Sequence, residues 1–80
     1  MSRSEILEKL TIIFKDVLKN KEIILTEVTT ATDILDWDSL NQIRLVVAIE
    51  QHFKVRFLNS EIQIWKNVGV LIDLLESKIN

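Results

Sequence analysis

The sequence predicts an all-α fold of three main helices, one short helix and a long loop after the first helix. Apolar side chains recur at steps of three and four residues in three stretches, as they do along one face of an α-helix. The strand-like residues 22–32 have only the short segment 54–57 as a candidate partner, so we predict a loop there. The chain has 80 residues, 48% of them hydrophobic, which favours one small domain over residues 1–80.

The first helix is predicted to begin near Ser2 and to stop near Asn20. Ser2 and Glu5 have the spacing of a capping box, and Ser4 is a second candidate for the N-cap. The predicted buried stripe of this helix consists of Ile6, Leu7, Leu10, Ile13, Phe14, Val17 and Leu18.

Residues 20–38 form the predicted loop. We expect Leu25, Val28 and Ile34 to pin it to the core. From residue 22 onwards the loop holds five acids and no Lys or Arg, so it is acidic although the whole chain is nearly neutral. Loops of this length are uncommon in compact domains and are often functional.

A second helix is predicted from Ser39 to Phe53, and a last one from Val68 to Ile79 with Asn67 as its cap. The predicted core stripe of the second helix consists of Leu45, Val46, Ile49 and Phe53. The predicted core stripe of the last helix consists of Val68, Leu71, Ile72, Leu75 and Ile79.

A short turn of helix is predicted within residues 59–64, with Asn59 or Ser60 as its cap. Gly69 is the only glycine and falls in the first turn of the last helix. Its position predicts close packing against a neighbouring segment.

The composition excludes several classes of function. The net charge of −2 and the pI of about 5.3 argue against a nucleic-acid partner, which rewards clustered Lys and Arg. The chain has no cysteine, so it offers neither disulfides nor thiol chemistry of its own. The longest apolar run, residues 45–49, is too short to span a bilayer, and the N-terminus shows no signal-peptide pattern. We therefore expect a cytoplasmic protein without a membrane span.

The stretch "DWDSL", residues 36–40, holds the most conspicuous polar group, the Ser39 hydroxyl. The simplest interpretation is structural, because Ser and Asp before an apolar helix usually act as N-caps. Asp38 or Ser39 could cap the second helix and stabilise it by roughly 1 kcal/mol.

A catalytic role for Ser39 conflicts with the spacing of the chain. A serine nucleophile needs a base within hydrogen-bond reach, and the only histidine is His52. His52 lies thirteen residues along the same predicted helix, a distance of roughly 20 Å at the helical rise.

A calcium site is also excluded, although Asp33, Asp36 and Asp38 lie close together in the sequence. A calcium loop of the EF-hand type needs oxygen ligands at alternating positions, a central Gly and a distal Glu. Neither Asp33 nor Asp36 begins such a pattern.

The remaining interpretation makes Ser39 the substrate of another enzyme, at the exposed start of a helix. Beside its core stripe, the second helix carries a second apolar stripe of Leu40, Ile43 and Val47. Arg44, Glu50 and Gln51 border this stripe. A helix that is apolar on two sides is either sandwiched or presents a surface for a partner. The sequence pattern leaves both possibilities open.

Residues 36–57, "DWDSLNQIRLVVAIEQHFKVRF", resemble the acyl carrier protein family, within the wider group of phosphopantetheine-carrying domains. The family's signature is an Asp-Ser-Leu triplet that opens a helix, followed by an apolar pattern, a Glu and a Phe. The matching residues are Asp38, Ser39, Leu40, Ile43, Leu45, Val46, Ile49, Glu50 and Phe53. The order and lengths of the predicted elements also match, so the resemblance covers nearly the whole chain.

The resemblance implies a monomeric carrier, not itself an enzyme, with the four-helix bundle of that family. A phosphopantetheinyl transferase would attach phosphopantetheine to Ser39, which Asp38 and Leu40 flank. The thiol of the arm would carry acyl or aminoacyl groups in fatty acid, polyketide or nonribosomal peptide biosynthesis. Loading ligases and downstream synthases or transferases would dock on a set of second-helix residues, namely Leu40, Ile43, Arg44, Val47 and Glu50. The alternative is an unmodified helical interaction domain in which Ser39 is only a cap.

The chain departs from the fatty-acid carriers of the family, whose second helix is strongly acidic. Asn41, Arg44 and Gln51 occupy positions that are commonly acidic there, which predicts weaker docking to partners with basic patches. Trp37 is bulkier than the small residue usual before the triplet and resembles specialised stand-alone or peptidyl carriers. Trp65 falls near the acyl pocket of some carriers, although we interpret it as a core residue.

Overall fold

Four α-helices and one short 3-10 turn follow one another along the chain. The computed structural model describes residues 1–79 and confirms the all-α fold, with no strand among those residues. The helices are α1 (Arg3–Val17), α2 (Ser39–Phe53), α3 (Asn59–Gln63) and α4 (Val68–Ile79), and the 3-10 turn spans Ala31–Asp33. Asn80, the last residue of the predicted 1–80 domain, lies outside the described residues. None of the helices within residues 1–79 has the length and apolar character needed to cross a bilayer.

The capping box predicted for α1 is present. The hydroxyl of Ser2 accepts a hydrogen bond from the Glu5 amide, and the Glu5 carboxylate accepts one from the Ser2 amide. The Ser2 amide also holds the pKa of Glu5 below its usual value. Ser2, and not Ser4, is therefore the N-cap.

The core lies between α1, α2 and α4, and α1 contacts both of the other long helices. Each of the three helices buries the stripe that its periodicity predicts, except that Leu7, Val17 and Ile79 are only half-buried at the margin of the core. The fully buried side chains are Ile6, Leu10, Phe14, Leu45, Ile49, Val68, Leu71, Ile72 and Leu75.

The segment between α1 and α2 is the predicted long connection, and it buries single side chains at intervals of two to five residues. Leu25 and Ile34 are buried as predicted, but the prediction for Val28 is wrong, because its side chain is exposed. Thr29 is buried in its place, since its hydroxyl accepts a hydrogen bond from the Thr26 amide in a tight turn. This turn directs the neighbouring Val28 outwards.

Two hydrogen bonds join the same segment to the start of α4. The amide of Val68 donates to the Thr29 carbonyl, and the amide of Gly69 donates to the Glu27 carbonyl. A Cβ atom at position 69 would lie 2.9 Å from that carbonyl oxygen, which confirms the predicted close packing. The predicted cap of α4 is also confirmed, because the Asn67 side chain accepts from the amide of Val70.

Arg3 links three parts of the chain through its guanidinium. It forms ion pairs with Glu27 of the long connection and with Asp73 and Glu76 of α4, each at 2.6 Å. The hydrogen bond to Glu27 is the largest cause that raises the pKa of Arg3, and it lowers the pKa of Glu27 in turn.

Helix α3 begins differently from the prediction. Neither Asn59 nor Ser60 is its cap, because Leu58 holds the N-cap position. The Glu61 carboxylate reaches back to accept a hydrogen bond from the Leu58 amide, which keeps the pKa of Glu61 low. The same carboxylate pairs with Lys78 at 3.0 Å, so α3 is fastened to the end of α4.

Candidate functional site

Ser39 is the first residue of α2, and its hydroxyl is free. The N-cap is Asp38, whose carboxylate accepts a hydrogen bond of 2.8 Å from the Asn41 amide. The Ser39 side chain is exposed and has no hydrogen-bond partner among residues 1–79. The interpretation of Ser39 as a helix cap is therefore wrong, since Asp38 already performs that role.

Trp37 fixes the loop just before Ser39. Its ring is buried and meets Phe14 of α1 edge to face, with the ring centroids 4.9 Å apart. Its indole N–H donates to the side chain of Gln42 on α2. The Asn41 side chain donates to the Asp36 carbonyl and adds a second link between loop and helix. The backbone on both sides of Ser39 is thus held in place while the hydroxyl points to solvent.

A groove of about 310 Å³ opens beside Ser39. Its lining residues are Ala31, Trp37, Asp38, Ser39, Gln42 and Trp65. Trp65 is 8% exposed, as a core tryptophan would be, and stacks edge to face on Phe57. Its buried indole N–H has no acceptor among residues 1–79. Sequence periodicity could not show that this core residue also lines the groove, because it lies outside the long helices.

The second apolar stripe of α2 faces solvent. Leu40, Ile43 and Val47 are between 47% and 64% exposed, so no element of the described chain covers them. Arg44 is exposed in the same helix. Glu50 is half-buried, because one of its carboxylate oxygens accepts a hydrogen bond from the Phe57 amide. The stripe therefore runs from Ser39 along α2, beside the exposed guanidinium of Arg44.

The structure places no catalytic partner or metal ligand set at Ser39. His52 lies in the last turn of the same helix and packs against Phe53. Within residues 1–79, no cluster of three or more His, Cys, Asp or Glu side chains could hold a metal ion.

Comparison with known proteins identifies the family of this helical bundle. No family model matches the chain. An acyl carrier protein of Thermosynechococcus vestitus is 35% identical over 80 residues, which cover 99% of this chain and 98% of the relative. The chain belongs to the acyl carrier protein family. An acyl carrier protein of Petrotoga mobilis is also 35% identical, over the whole of this chain and 94% of its own.

A solved structure also supports membership of this family. The solution NMR structure of holo acyl carrier protein from Geobacter metallireducens matches with a TM-score of 0.86 and 45% sequence identity. The match covers 91% of this chain and 84% of that chain. The function of the chain is accordingly that of an acyl carrier, and the resemblance given by residues 36–57 is confirmed.

Proposed function

We propose that this acyl carrier protein holds its cargo as a thioester on a phosphopantetheine arm attached to the Ser39 hydroxyl. The observation that carries the proposal is that Asp38, and not Ser39, caps α2. Asp38 caps α2, which leaves Ser39 exposed and without a hydrogen-bond partner. A solvent-facing hydroxyl on a rigid helix terminus is accessible to a modifying enzyme.

The surroundings of Ser39 fit such an arm. Backbone amides at the start of a helix and the helix dipole favour a phosphate group at this position. The unpartnered indole N–H of Trp65, in the wall of the adjacent groove, is a hydrogen-bond donor that lacks an acceptor. The amide and thioester carbonyls of an arm are acceptors of the kind that this donor needs.

The attachment reaction requires only a nucleophilic oxygen from this chain. The Ser39 oxygen attacks the phosphorus of coenzyme A that bears pantetheine, and a new P–O bond forms. The bond from that phosphorus to the bridging oxygen breaks, and adenosine 3′,5′-bisphosphate leaves. The serine proton passes to a base of the phosphopantetheinyl transferase, which also supplies Mg²⁺. Since His52 lies at the far end of α2, the proposal gives this chain no catalytic role of its own.

When bound, the arm supplies the thiol that a cysteine-free chain lacks, and thioesters form there. The exposed stripe of Leu40, Ile43 and Val47 would contact loading ligases, synthases and acyl transferases, with Arg44 and the free oxygen of Glu50 beside it. The proposal includes a monomeric carrier of residues 1–80 that works in the cytoplasm, where coenzyme A and these enzymes meet it.

Mass spectrometry tests the attachment site. The chain is incubated with coenzyme A, Mg²⁺ and a broad-specificity phosphopantetheinyl transferase, and its intact mass is measured. We expect one phosphopantetheine on the unaltered chain and none on Ser39→Ala. Ser60→Ala is the matched control, because Ser60 is also an exposed serine in the first turn of a helix. An unmodified wild-type chain would favour the unmodified interaction domain, and modification that survives Ser39→Ala would refute Ser39 as the attachment point.

The class of cargo is tested in a second step. The modified chain is offered fatty acyl groups through an acyl-activating ligase and amino acids through an adenylating enzyme. Membership of the acyl carrier protein family leads us to expect acyl thioesters. If the chain accepted amino acids alone, it would be a peptidyl carrier and not an acyl carrier. Ser39 would remain the proposed attachment point in either case.

A further inference from the structure

A second groove, of about 480 Å³, lies where the chain leaves α2 and is here called the helix-end groove. Val47 lines this groove and is also the last residue of the exposed α2 stripe, so the groove continues that stripe. No lining residue is shared with the groove beside Ser39. The full lining consists of Val47, Glu50, Gln51, Lys54, Val55 and Arg56.

The backbone after α2 sets the shape of the helix-end groove. Lys54 has a left-handed conformation, with φ of 58°, which ends the helix and turns the chain. The Glu50 carbonyl accepts hydrogen bonds from the amides of Lys54 and Val55. The Glu50 carboxylate accepts a further one from the Phe57 amide. The segment after the helix is therefore fastened to the last turn of α2, and the groove is preformed.

Three cations surround the apolar part of this surface. Lys54 and Arg56 line the groove and are exposed. Arg44 is exposed one turn before Val47 on α2, so their side chains are neighbours on the helix surface. None of the three cations forms an ion pair with a carboxylate among residues 1–79. Their charges are therefore available to a partner.

The surface is basic although the chain as a whole is acidic. Residues 39–58 hold three Lys or Arg and one Glu, a net charge of +2 with His52 neutral, whereas the whole chain has −2. The one acid is Glu50, whose carboxylate is already engaged with the Phe57 amide. A nucleic acid or an anionic membrane rewards larger clusters of Lys and Arg than this one. The groove therefore suits a short acidic protein segment with apolar side chains for the stripe.

We propose that the helix-end groove and the adjoining stripe dock an acidic, apolar segment of the enzymes that load or unload the cargo, an inference that rests on the proposed carrier function. Apolar side chains of the partner cover Ile43 and Val47. Its Asp and Glu side chains pair with Arg44, Lys54 and Arg56. The same three cations repel a basic partner, so this carrier selects partners by a charge opposite to that of enzymes that fit a strongly acidic second helix.

Binding of two matched peptides tests this inference. Both peptides are amphipathic helices with Leu at steps of three and four residues, and the flanking positions are Glu in one and Lys in the other. Each is titrated into the isotope-labelled chain, and the amide chemical shifts give the Kd and the place of binding. We expect the Glu peptide to bind about tenfold more tightly at low salt, with the largest shifts in residues 43–56. The difference should shrink at high salt, because screening weakens exposed charge pairs.

A double variant separates the charge of the groove from its apolar lining. Lys54→Glu with Arg56→Glu should bind the Lys peptide at least as tightly as the Glu peptide. Lys19→Glu with Lys21→Glu is the matched control, because these lysines are exposed and Lys19 also has a left-handed conformation just after a helix. The control changes the net charge equally and should keep the preference for the Glu peptide.

The outcome is independent of the attachment reaction. Equal binding of the two peptides, no binding of either, or a preference that the control pair abolishes as fully as the groove pair would overturn the inference. Ser39→Ala should bind the Glu peptide as the wild-type chain does, since Ser39 does not line the groove. A wild-type chain that prefers the Glu peptide but accepts no phosphopantetheine would refute attachment at Ser39 and leave the acidic partner standing.

Discussion

The indole N–H of Trp37 donates to the side-chain oxygen of Gln42, five residues further along the chain. The contact joins the end of the long connection to the first turns of α2, with Ser39 between the two partners. Because the Trp37 ring also packs on Phe14, one side chain ties the segment before Ser39 to both α1 and α2. This arrangement gives the bulky residue before the Asp-Ser-Leu triplet a structural role.

Replacing Trp37 by Phe separates the hydrogen bond from the aromatic contact. We expect Trp37→Phe to lower the free energy of unfolding by about 1 kcal/mol, since one net hydrogen bond is lost and a ring remains. Trp37→Ala should lower it by about 3–5 kcal/mol, because the contact with Phe14 also disappears. Urea unfolding followed by circular dichroism measures both. If the hydrogen bond from Trp37 to Gln42 stabilises the fold, Trp37→Phe should have little further effect on stability in a Gln42→Ala background. Fully additive effects of the two substitutions would contradict a contribution from this hydrogen bond.

Gly69 allows the long connection to approach α4 closely. Gly69→Ala places a Cβ atom against the Glu27 carbonyl and should displace the loop. We expect a net loss of roughly 1 kcal/mol, because the lost hydrogen bond and the contact outweigh the higher helix propensity of Ala. Urea unfolding is again the measurement. A more stable variant would show that helix propensity dominates and that the loop moves without penalty.

The pH dependence of stability follows from three carboxylates with lowered pKa values, those of Glu5, Glu27 and Glu61. Their ordinary pKa is 4.5, so the unfolded chain takes up protons before the folded chain does as the pH falls. Stability should therefore be full at neutral pH and decline once the pH falls below about 5, towards the folded pKa values. Thermal unfolding between about pH 7 and pH 3 measures this decline.

Glu27→Gln should flatten that decline, because the carboxylate whose pKa Arg3 lowers is then absent and no longer takes up a proton. Glu8→Gln is the control, since no hydrogen bond or ion pair joins Glu8 to the rest of residues 1–79. An acid profile that Glu27→Gln leaves unchanged would show that the ion pair contributes nothing.

Arg44 determines how the α2 stripe meets a basic partner. Arg44→Glu should strengthen association with a fatty-acid synthesis enzyme that presents a basic patch, by roughly three- to tenfold at low salt. Surface plasmon resonance at two salt concentrations measures the change, which should shrink at high salt. Lys9→Glu on α1 is the control for a general change in net charge. Equal or weaker binding of Arg44→Glu would contradict the charge argument.

The helices were predictable because burial imposes a period of 3.6 residues on them. The bounds of α2 and α4 agree with the predictions at both ends, and the stripes of Leu45 and Leu75 are buried as expected. The irregular segments lack such a period. The sequence could not show that the turn at Thr26 and Thr29 directs Val28 outwards, or that Glu61 reaches back to cap α3 from Leu58.

The candidate site was predictable where a local motif controls it. The triplet around Ser39 and the second apolar stripe beginning at Leu40 follow from neighbouring residues on one helix, whereas only the structure shows that this stripe is exposed. Trp65 lies 26 residues after Ser39 and comes beside it only when the bundle has formed. The hydrogen bond from the Phe57 amide to Glu50 likewise depends on the path of the connection after α2. Contacts of this kind are set by tertiary packing, which no local pattern encodes.

The groove beside Ser39 also gives the chain a useful optical property. Its only two tryptophans, Trp37 and Trp65, both line this groove, and the chain has no tyrosine. Nearly all of the near-ultraviolet emission of the protein therefore originates within a few side chains of Ser39. Any group that enters the groove changes the surroundings of both fluorophores at once. The fluorescence of the unlabelled protein therefore reports directly on whatever occupies this groove.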